Sequence, residues 1–120
     1  MYIFSFEKLK VWQDAIQLSK EVYKITSTVP NDEKFGLVSQ MRRATNSIAA
    51  NLAEGKSRNT NKDKAHFTTI AYSTTMEVLN HIILSEELEF ISEENYLELR
   101  KKNYKISNML NALRKAQLNN

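Results

Sequence analysis

Apolar residues recur three and four positions apart along four segments of the chain, a spacing that predicts four amphipathic helices. The first helix is expected from about residue 6 to residue 28, the second from 33 to 54, the third from about 61 to 88, and the fourth from about 93 onward. The positions that define the four stripes are, in chain order, Val11, Ala15, Leu18, Val22, Ile25 and Val29, then Leu37, Met41, Ala44, Ile48 and Leu52, then Phe67, Ile70, Ala71, Thr74, Val78 and Ile82, and finally Leu99, Ile106, Leu110 and Leu113.

Stop and cap signals separate these segments. A proline ends a helix, and a Ser, Thr, Asn or Asp accepts hydrogen bonds from the free amides of the next one. The signals are Pro30 after the first helix, Asn31 or Asp32 before the second, Gly55 as a left-handed cap at its end, Thr60 before the third and Ser92 before the fourth. Because the joints are short, successive helices run antiparallel. The sequence therefore predicts an all-α, up-down-up-down antiparallel four-helix bundle, with residues 1–120 forming a single domain.

Composition agrees with this fold class. The 120 residues include two glycines, one proline and 42% hydrophobic residues, which is typical of a helical globular domain. The absence of cysteine excludes disulfides and thiolate metal sites. The opening MYIFSFEKLK has no signal-peptide pattern, and no apolar run approaches the ~20 residues that span a bilayer. We expect a cytoplasmic protein that does not bind membranes.

One polar residue interrupts the stripe of the fourth helix. Asn103 stands where an inward-facing apolar residue is expected. A buried Asn can fix the register of a bundle at some cost in stability. The alternative is that Asn103 lies at the edge of the stripe and remains solvated, and the sequence does not distinguish between the two.

A second stripe runs beside the apolar one on the second helix. It consists of short or hydrogen-bonding side chains without lysine: Gln40, Arg43, Ser47, Asn51 and Glu54. Alanines at 44, 49, 50 and 53 allow another helix to approach closely. We expect this stripe, called here the α2 flank, to be an interface between copies of the chain. Arg42 and Arg43 can grip phosphate or carboxylate with two parallel hydrogen bonds, and an ion pair with Glu54 of a neighbouring copy is an equally good use of them.

Charge is unevenly distributed along the chain. The net charge is +3, yet Lys34–Lys64 has seven basic and two acidic residues, and Glu77–Glu98 has seven acidic and no basic ones. Folded into the predicted bundle, the acids gather at one end, which includes Asp32, Glu33, Glu86, Glu87, Glu89, Glu93 and Glu94. The opposite, basic end has eight candidate nucleic-acid-binding residues: Lys8, Lys10, Lys56, Arg58, Lys62, Lys64, Arg114 and Lys115.

The basic end has two interpretations. It can bind an anion, for which RNA or DNA is the best candidate, or it can be solvated charge without a partner. The basic loop has no aromatic residue of its own to stack on bases. The charge pattern alone leaves both interpretations open.

Enzyme chemistry has no support in the sequence. His66 and His81 lie roughly 22 Å apart along one predicted helix at ~1.5 Å per residue, so they cannot share a metal. No metal-ligating motif, glycine-rich phosphate loop or paired acid and base is present. We expect no catalytic residue, no metal and no cofactor.

The chain resembles the family of 23S rRNA intervening-sequence proteins, which includes as a relative the accessory protein of diversity-generating retroelements. The resemblance covers nearly the whole chain and is carried by Leu9 to Leu18 (LKVWQDAIQL), Val22-Tyr23, Pro30, Glu33, Phe35-Gly36-Leu37, Gln40, Arg42-Arg43-Ala44, Ser47-Ile48, Asn51, Glu54-Gly55 and Arg58. The chain departs from the family pattern at Ser73, where a glycine is usual. That serine is expected to hold a facing helix further away.

The resemblance implies a four-helix bundle that assembles as a ring-shaped homopentamer and has no established enzymatic activity. Arg42, Arg43, Asn51 and Glu54 belong to the family signature. Because the retroelement relative binds nucleic acid and a reverse transcriptase, RNA or DNA contact is expected here. The competing hypothesis is a protein-interaction adaptor that binds a protein partner through the α2 flank or the acidic end.

Overall fold

The computed structural model describes residues 1–30, 32 and 34–119. Its helices are α1 (Lys10–Thr26), α2 (Ser39–Lys56), α3 (Asn61–Glu87) and α4 (Glu93–Leu118), and the described residues contain no strand. Each helix packs against the next, and α4 also packs against α1, which closes the arrangement. The predicted all-α, up-down-up-down bundle is confirmed.

The aliphatic stripes of α1, α2 and α4 form the core together with Ala71, Val78 and Ile82 of α3. Leu18, Ile48 and Leu99 have no solvent exposure, and burying one such side chain stabilises the fold by about 1.5–3 kcal/mol. The other predicted positions that are buried are Val11, Ala15, Val22, Val29, Met41, Ala44, Leu52, Ala71, Val78, Ile82, Ile106 and Leu110. Lys102 of α4 forms an ion pair with Glu21 of α1, and its hydrogen bond to that carboxylate raises the pKa of Lys102.

The first helix is shorter than predicted at both ends. Ser5–Lys8 forms a separate 3-10 turn, and Leu9 is extended (φ −76°, ψ 120°) before α1 begins at Lys10. The turn is held by two bonds: the Glu7 carboxylate accepts from the Phe4 amide at 2.8 Å, and the Glu7 carbonyl accepts from Gln13 Nε2 at 2.9 Å. These local bonds replace the first helical turn that the sequence pattern suggested.

The predicted start of the second helix is wrong. Backbone angles of φ −103° and ψ −107° at Gly36 interrupt the segment Lys34–Val38, so that regular helix begins only at Ser39. No side chain caps this start, and Asp32 is therefore not the cap of α2. The other proposed cap, Asn31, and the predicted first residue, Glu33, lie outside the described residues.

Gly55 is not the predicted left-handed cap. It is buried inside α2, which continues to Lys56, and the only positive φ among the described residues is that of Glu89. A Cβ atom built on Gly55 would lie 2.9 Å from Phe67 Cβ and 3.4 Å from the Lys64 carbonyl oxygen. The glycine is therefore required by the close approach of α2 and α3, since any side chain there would meet the backbone region of α3.

The predicted stripe of α3 is confirmed at Ala71, Val78 and Ile82, which are buried, and wrong at its other three positions. Ile70 is 36% exposed and Phe67 and Thr74 are only half-buried. The buried residues are mostly small or polar: Ala65, Thr68, Ala71, Thr75, Val78, His81, Ile82 and Ser85. Hydroxyl groups can be buried here because they donate to carbonyls of their own helix, as Thr75 does to Tyr72 at 2.6 Å.

Two further expectations about α3 and α4 are settled. Asn103 is 2% exposed, and its Nδ2 donates to the Thr75 carbonyl at 3.0 Å, so it is a buried bridge between the helices. Ser73 is exposed, so the departure from the family pattern there does not push a facing helix away, and that expectation is wrong.

The α3–α4 turn is defined by backbone and cap bonds. The Phe90 amide donates to the Ser85 carbonyl and the Glu89 amide to the Glu86 carbonyl, both at 2.9 Å, with Glu89 at φ 61°. This is a Schellman ending with a glutamate in the left-handed position. Ser92 then caps α4 by accepting from the Asn95 amide at 3.0 Å, as predicted.

Candidate nucleic-acid interface

The basic end is formed where the start of α1, the end of α2, the start of α3 and the end of α4 meet. A cleft of about 200 Å³ lies between them. Thr68 of α3 donates to Gln117 of α4 at 2.8 Å and so ties two of these helix ends together. The residues that line the cleft are Leu9, Leu52, Gly55, Lys56, Asn61, Lys64, Thr68, Leu113, Ala116 and Gln117.

A tight connection brings the lysines of α2 and α3 to this cleft. The amide of Ser57 donates to the Glu54 carbonyl and the amide of Arg58 to the Gly55 carbonyl, both at 3.1 Å, which ends α2. The Thr60 hydroxyl then accepts from the Asp63 amide at 3.1 Å and starts α3, as predicted. Since few residues separate the two helices, their lysines share one surface.

The predicted basic residues differ in how free their charges are. Lys8, Lys56, Lys62 and Lys115 are exposed, and Lys64 is half-buried at the cleft. The Nζ atom of Lys10 lies 2.9 Å from an Asp14 carboxylate oxygen, so its charge is partly compensated. Lys10 therefore contributes less to the positive potential of this end than an unpaired lysine would.

Both arginines of the basic end lie over aromatic rings. The guanidinium carbon of Arg58 is 4.6 Å from the centre of the Phe67 ring, and that of Arg114 is 5.0 Å from the Tyr72 ring. Arg114 also donates to the Asn111 side chain at 2.7 Å. Such stacking fixes a planar cation while its donors stay available to an anion. Phe67, which the sequence pattern placed in the buried stripe of α3, comes under Arg58 through the close approach of α2 and α3 at Gly55.

The acidic end lies opposite, at the α3–α4 turn and the start of α4. Its exposed members are Asp32, Glu87, Glu89, Glu93 and Glu94, and Glu86 is half-buried. Glu33 lies outside the described residues. The bundle therefore carries opposite charges at its two ends, which orients it in the field of a polyanion.

The α2 flank is open in the single chain. Gln40, Arg43 and Glu54 are exposed, whereas Ser47 and Asn51 are half-buried. Asn51 Nδ2 donates to the carbonyl and to the hydroxyl of Ser47, at 2.8 Å and 3.0 Å. The flank thus presents a pre-ordered amide between two exposed charged groups, a surface that suits a specific polar contact.

Arg42 differs from Arg43 because its side chain contacts residues of α1 in the same chain. Its Nε donates to the Thr26 hydroxyl at 3.0 Å, its Nη2 donates to the Tyr23 carbonyl at 3.4 Å, and its guanidinium lies over the Tyr23 ring. These contacts place a cation at the carboxyl end of α1, where the helix dipole favours it. Arg42 joins α1 to α2, and Arg43 is the arginine that faces outward.

Residues 1–30, 32 and 34–119 contain no group of three or more His, Asp or Glu side chains that could hold a metal ion. His81 is buried beside Glu77, with Nε2 3.3 Å from the carboxylate, and His66 is exposed. None of the described helices has a stretch long and apolar enough to cross a bilayer.

Comparison with known proteins supports the fold and the resemblance seen in the sequence. The model of the family described as 23S rRNA-intervening sequence protein matches residues 7–112. A similar solved structure is that of a protein of unknown function from the S23 ribosomal protein family of Bacteroides thetaiotaomicron VPI-5482, with a TM-score of 0.81. The two chains are 22% identical, and the match covers 88% of this chain and 95% of that one. No curated protein matches the chain.

Proposed function

This chain belongs to the 23S rRNA-intervening sequence protein family, and we propose that it is a non-enzymatic, oligomeric bundle protein that binds RNA or DNA through its basic end. The observation that carries the proposal is the group of exposed and half-buried cations at the cleft between α2 and α3. Lys56 and Lys64 line the cleft from two helix ends, and the exposed Lys62 lies two residues before Lys64 in the first turn of α3. The opposite end of the bundle is acidic.

Phosphate binding follows from three features of this end. Exposed lysines release counterions when they neutralise phosphates, which drives association at low salt. The helix dipole adds partial positive charge at the start of α3, beside Lys62 and Lys64, and the Asp63 carboxylate in the same turn offsets part of it. The stacked Arg58 offers planar, paired donors to phosphate oxygens. A cleft of about 200 Å³ is too narrow for a duplex, so the contact lies along the rim and reads backbone charge rather than sequence.

Self-assembly multiplies this weak surface. Copies associate through the α2 flank, with Arg43 and Glu54 offering opposite charges to a neighbouring copy, and the family resemblance favours a homopentamer. A ring presents several basic ends to one nucleic acid, so that the later contacts become intramolecular and the apparent affinity rises. Binding RNA or DNA in this way is consistent with a cytoplasmic protein.

A salt titration tests the proposal. Fluorescence polarisation of a labelled RNA hairpin and a DNA duplex is measured against the purified protein between about 50 and 200 mM salt. Three or four phosphate contacts per copy give a plot of log affinity against log salt with a slope of about −3 to −4, and steeper for a ring. Absence of binding at the lowest salt, or binding that does not respond to salt, contradicts the proposal.

A second candidate function is a protein-interaction adaptor. It is favoured by the exposed glutamates of the α3–α4 turn, Glu87 and Glu89, which flank the exposed apolar side chain of Leu88. An acidic turn with an apolar centre suits a basic protein partner. A partner that co-purifies after nuclease treatment, and is lost with Glu87→Lys and Leu88→Ser, supports the adaptor. If the protein binds no nucleic acid and still retains that partner, the adaptor function replaces the first proposal.

A further inference from the structure

The N-terminal arm (Met1–Phe4) is an apolar segment that its own chain leaves uncovered. Tyr2 is 77% exposed, Ile3 53% and Phe4 58%. The arm is nevertheless ordered from its base, because the Glu7 carboxylate holds the Phe4 amide at 2.8 Å. The rings of Tyr2 and Phe4 contact each other edge to face at 4.9 Å, and the Phe4 ring stacks on Phe6 at 6.2 Å. A pre-ordered aromatic segment in water is suited to insertion into an apolar site.

A matching apolar site lies elsewhere on the same chain. The α3–α4 groove, of about 340 Å³, is lined by Met76, Leu79, Leu97 and Tyr104, with Arg100 and Lys101 on its rim. Leu97 is 56% exposed and Tyr104 67%. Cations at the edge of an apolar groove favour aromatic occupants, since they can lie over the faces of the rings.

The arm lies outside the groove of its own chain, since Tyr2, Ile3 and Phe4 are all more than half exposed. The turn that carries the arm also packs on α1 and α2, whereas the groove opens between α3 and α4.

We infer that the N-terminal arm of one copy docks in the α3–α4 groove of a second copy. This inference rests on the self-assembly part of the proposed function and names a contact that assembly uses. Two buried aromatic rings contribute about 300–500 Å². With Ile3 and the covered groove the contact approaches the ~1,000 Å² that a specific interface needs. Because the two surfaces differ, the contact is head-to-tail and repeats from copy to copy until the assembly closes.

The chain has no cysteine, so paired single-cysteine variants can test this contact directly. Ile3→Cys places a thiol in the middle of the arm, and Lys101→Cys places one on the rim of the groove, while the aromatic anchors and the apolar walls stay unchanged. The two variants are mixed, allowed to exchange subunits and treated with a short bismaleimide. We expect a cross-link between unlike copies. The matched control uses Lys24→Cys, at an exposed position of α1, in place of Lys101→Cys. This pair should give no cross-link.

A second variant measures the contribution of the arm. Tyr2→Ala with Phe4→Ala should raise the concentration at which the assembly dissociates at least about tenfold, with unchanged helical content by circular dichroism. Light scattering gives the mass. If the wild-type protein assembles but the Ile3→Cys and Lys101→Cys variants do not cross-link, the inference alone is overturned. The same conclusion follows if the Tyr2→Ala and Phe4→Ala variant binds RNA more weakly while its mass stays unchanged. A wild-type protein that is monomeric overturns both the inference and the proposed self-assembly, while the salt titration tests nucleic-acid binding separately.

Discussion

Reversing three lysines of the basic end, Lys56→Glu, Lys62→Glu and Lys64→Glu, should weaken binding of RNA or duplex DNA at least about 100-fold at low salt. Each change removes one phosphate contact and places a carboxylate against the polyanion. The slope of log affinity against log salt should become shallower by about one unit for each lost contact. Fluorescence polarisation across the salt range measures both quantities.

A matched variant separates local binding from overall charge. Lys20→Glu, Lys24→Glu and Lys105→Glu change exposed residues outside the eight that form the basic end. Because the Lys105 Nζ atom lies 3.7 Å from an Asp14 carboxylate oxygen, circular dichroism is used first to check that this variant folds. In either triple variant each change subtracts two charges, so the net charge falls from +3 to −3. Both variants also put one glutamate in the last turn of a helix, at Lys24 of α1 or Lys56 of α2. Equal loss of affinity in the two variants would mean that binding follows net charge and has no site.

The second large effect is expected at the α2–α3 contact. Gly55→Val should lower the free energy of unfolding by about 2 kcal/mol, because overpacking of a close contact costs about 1–3 kcal/mol. The nearest atom to an added Cβ is Phe67 Cβ at 2.9 Å, which is fixed to the backbone of α3 and cannot swing away. Urea unfolding followed by circular dichroism gives the difference.

The control for this prediction adds a valine where there is space. Ala112→Val changes an exposed position of α4, and its effect should stay within about 0.5 kcal/mol. If Gly55→Val is as stable as Ala112→Val, then α2 and α3 do not approach as closely as the structure has them. The lysines of the two helices would then lie further apart than the proposed interface requires.

The helices that could be predicted from sequence are those whose buried faces are aliphatic. In α1 and α4, residues such as Leu18 and Leu110 mark one face clearly, so periodicity alone identified the core. The stripe of α3 was predicted only in part, because this helix also buries Thr68 and Thr75. Their hydroxyls bond within the helix, and hydrophobicity does not mark such a face. The fold was still predicted because topology depends on the number of helices and on the shortness of the joints, and not on the exact cap residues.

Helix ends show a different limit. Gly55 has the sequence signature of a left-handed cap, yet it is needed for contact with Phe67. The same preference for glycine arises from a turn or from a close approach, and only the partner helix distinguishes them. Conversely, Glu89 takes the left-handed position at the end of α3 without any sequence signal.

The sequence predicted that the basic residues share one end of the bundle, but it did not predict the contacts that each of them makes. Antiparallel topology was enough to bring Lys56 and Lys64 together. The local partners of individual cations were not visible in the sequence. The charge of Lys10 is partly neutralised by Asp14, and the Arg42 guanidinium donates hydrogen bonds to Thr26 and Tyr23. The α3–α4 groove was also missed, because its walls come from two helices and its apolar residues lie outside the predicted stripes.

Lysine labelling gives the most direct test of the central claim that the basic end is the nucleic-acid interface. The protein is acetylated briefly with and without saturating RNA, and the modification of each lysine is measured by mass spectrometry. Our account predicts that RNA protects Lys56, Lys62 and Lys64, while the exposed Lys20 and Lys24 of α1 react as before. Protection of Lys20 and Lys24 with the basic end still reactive, or equal protection at all five lysines, would contradict it.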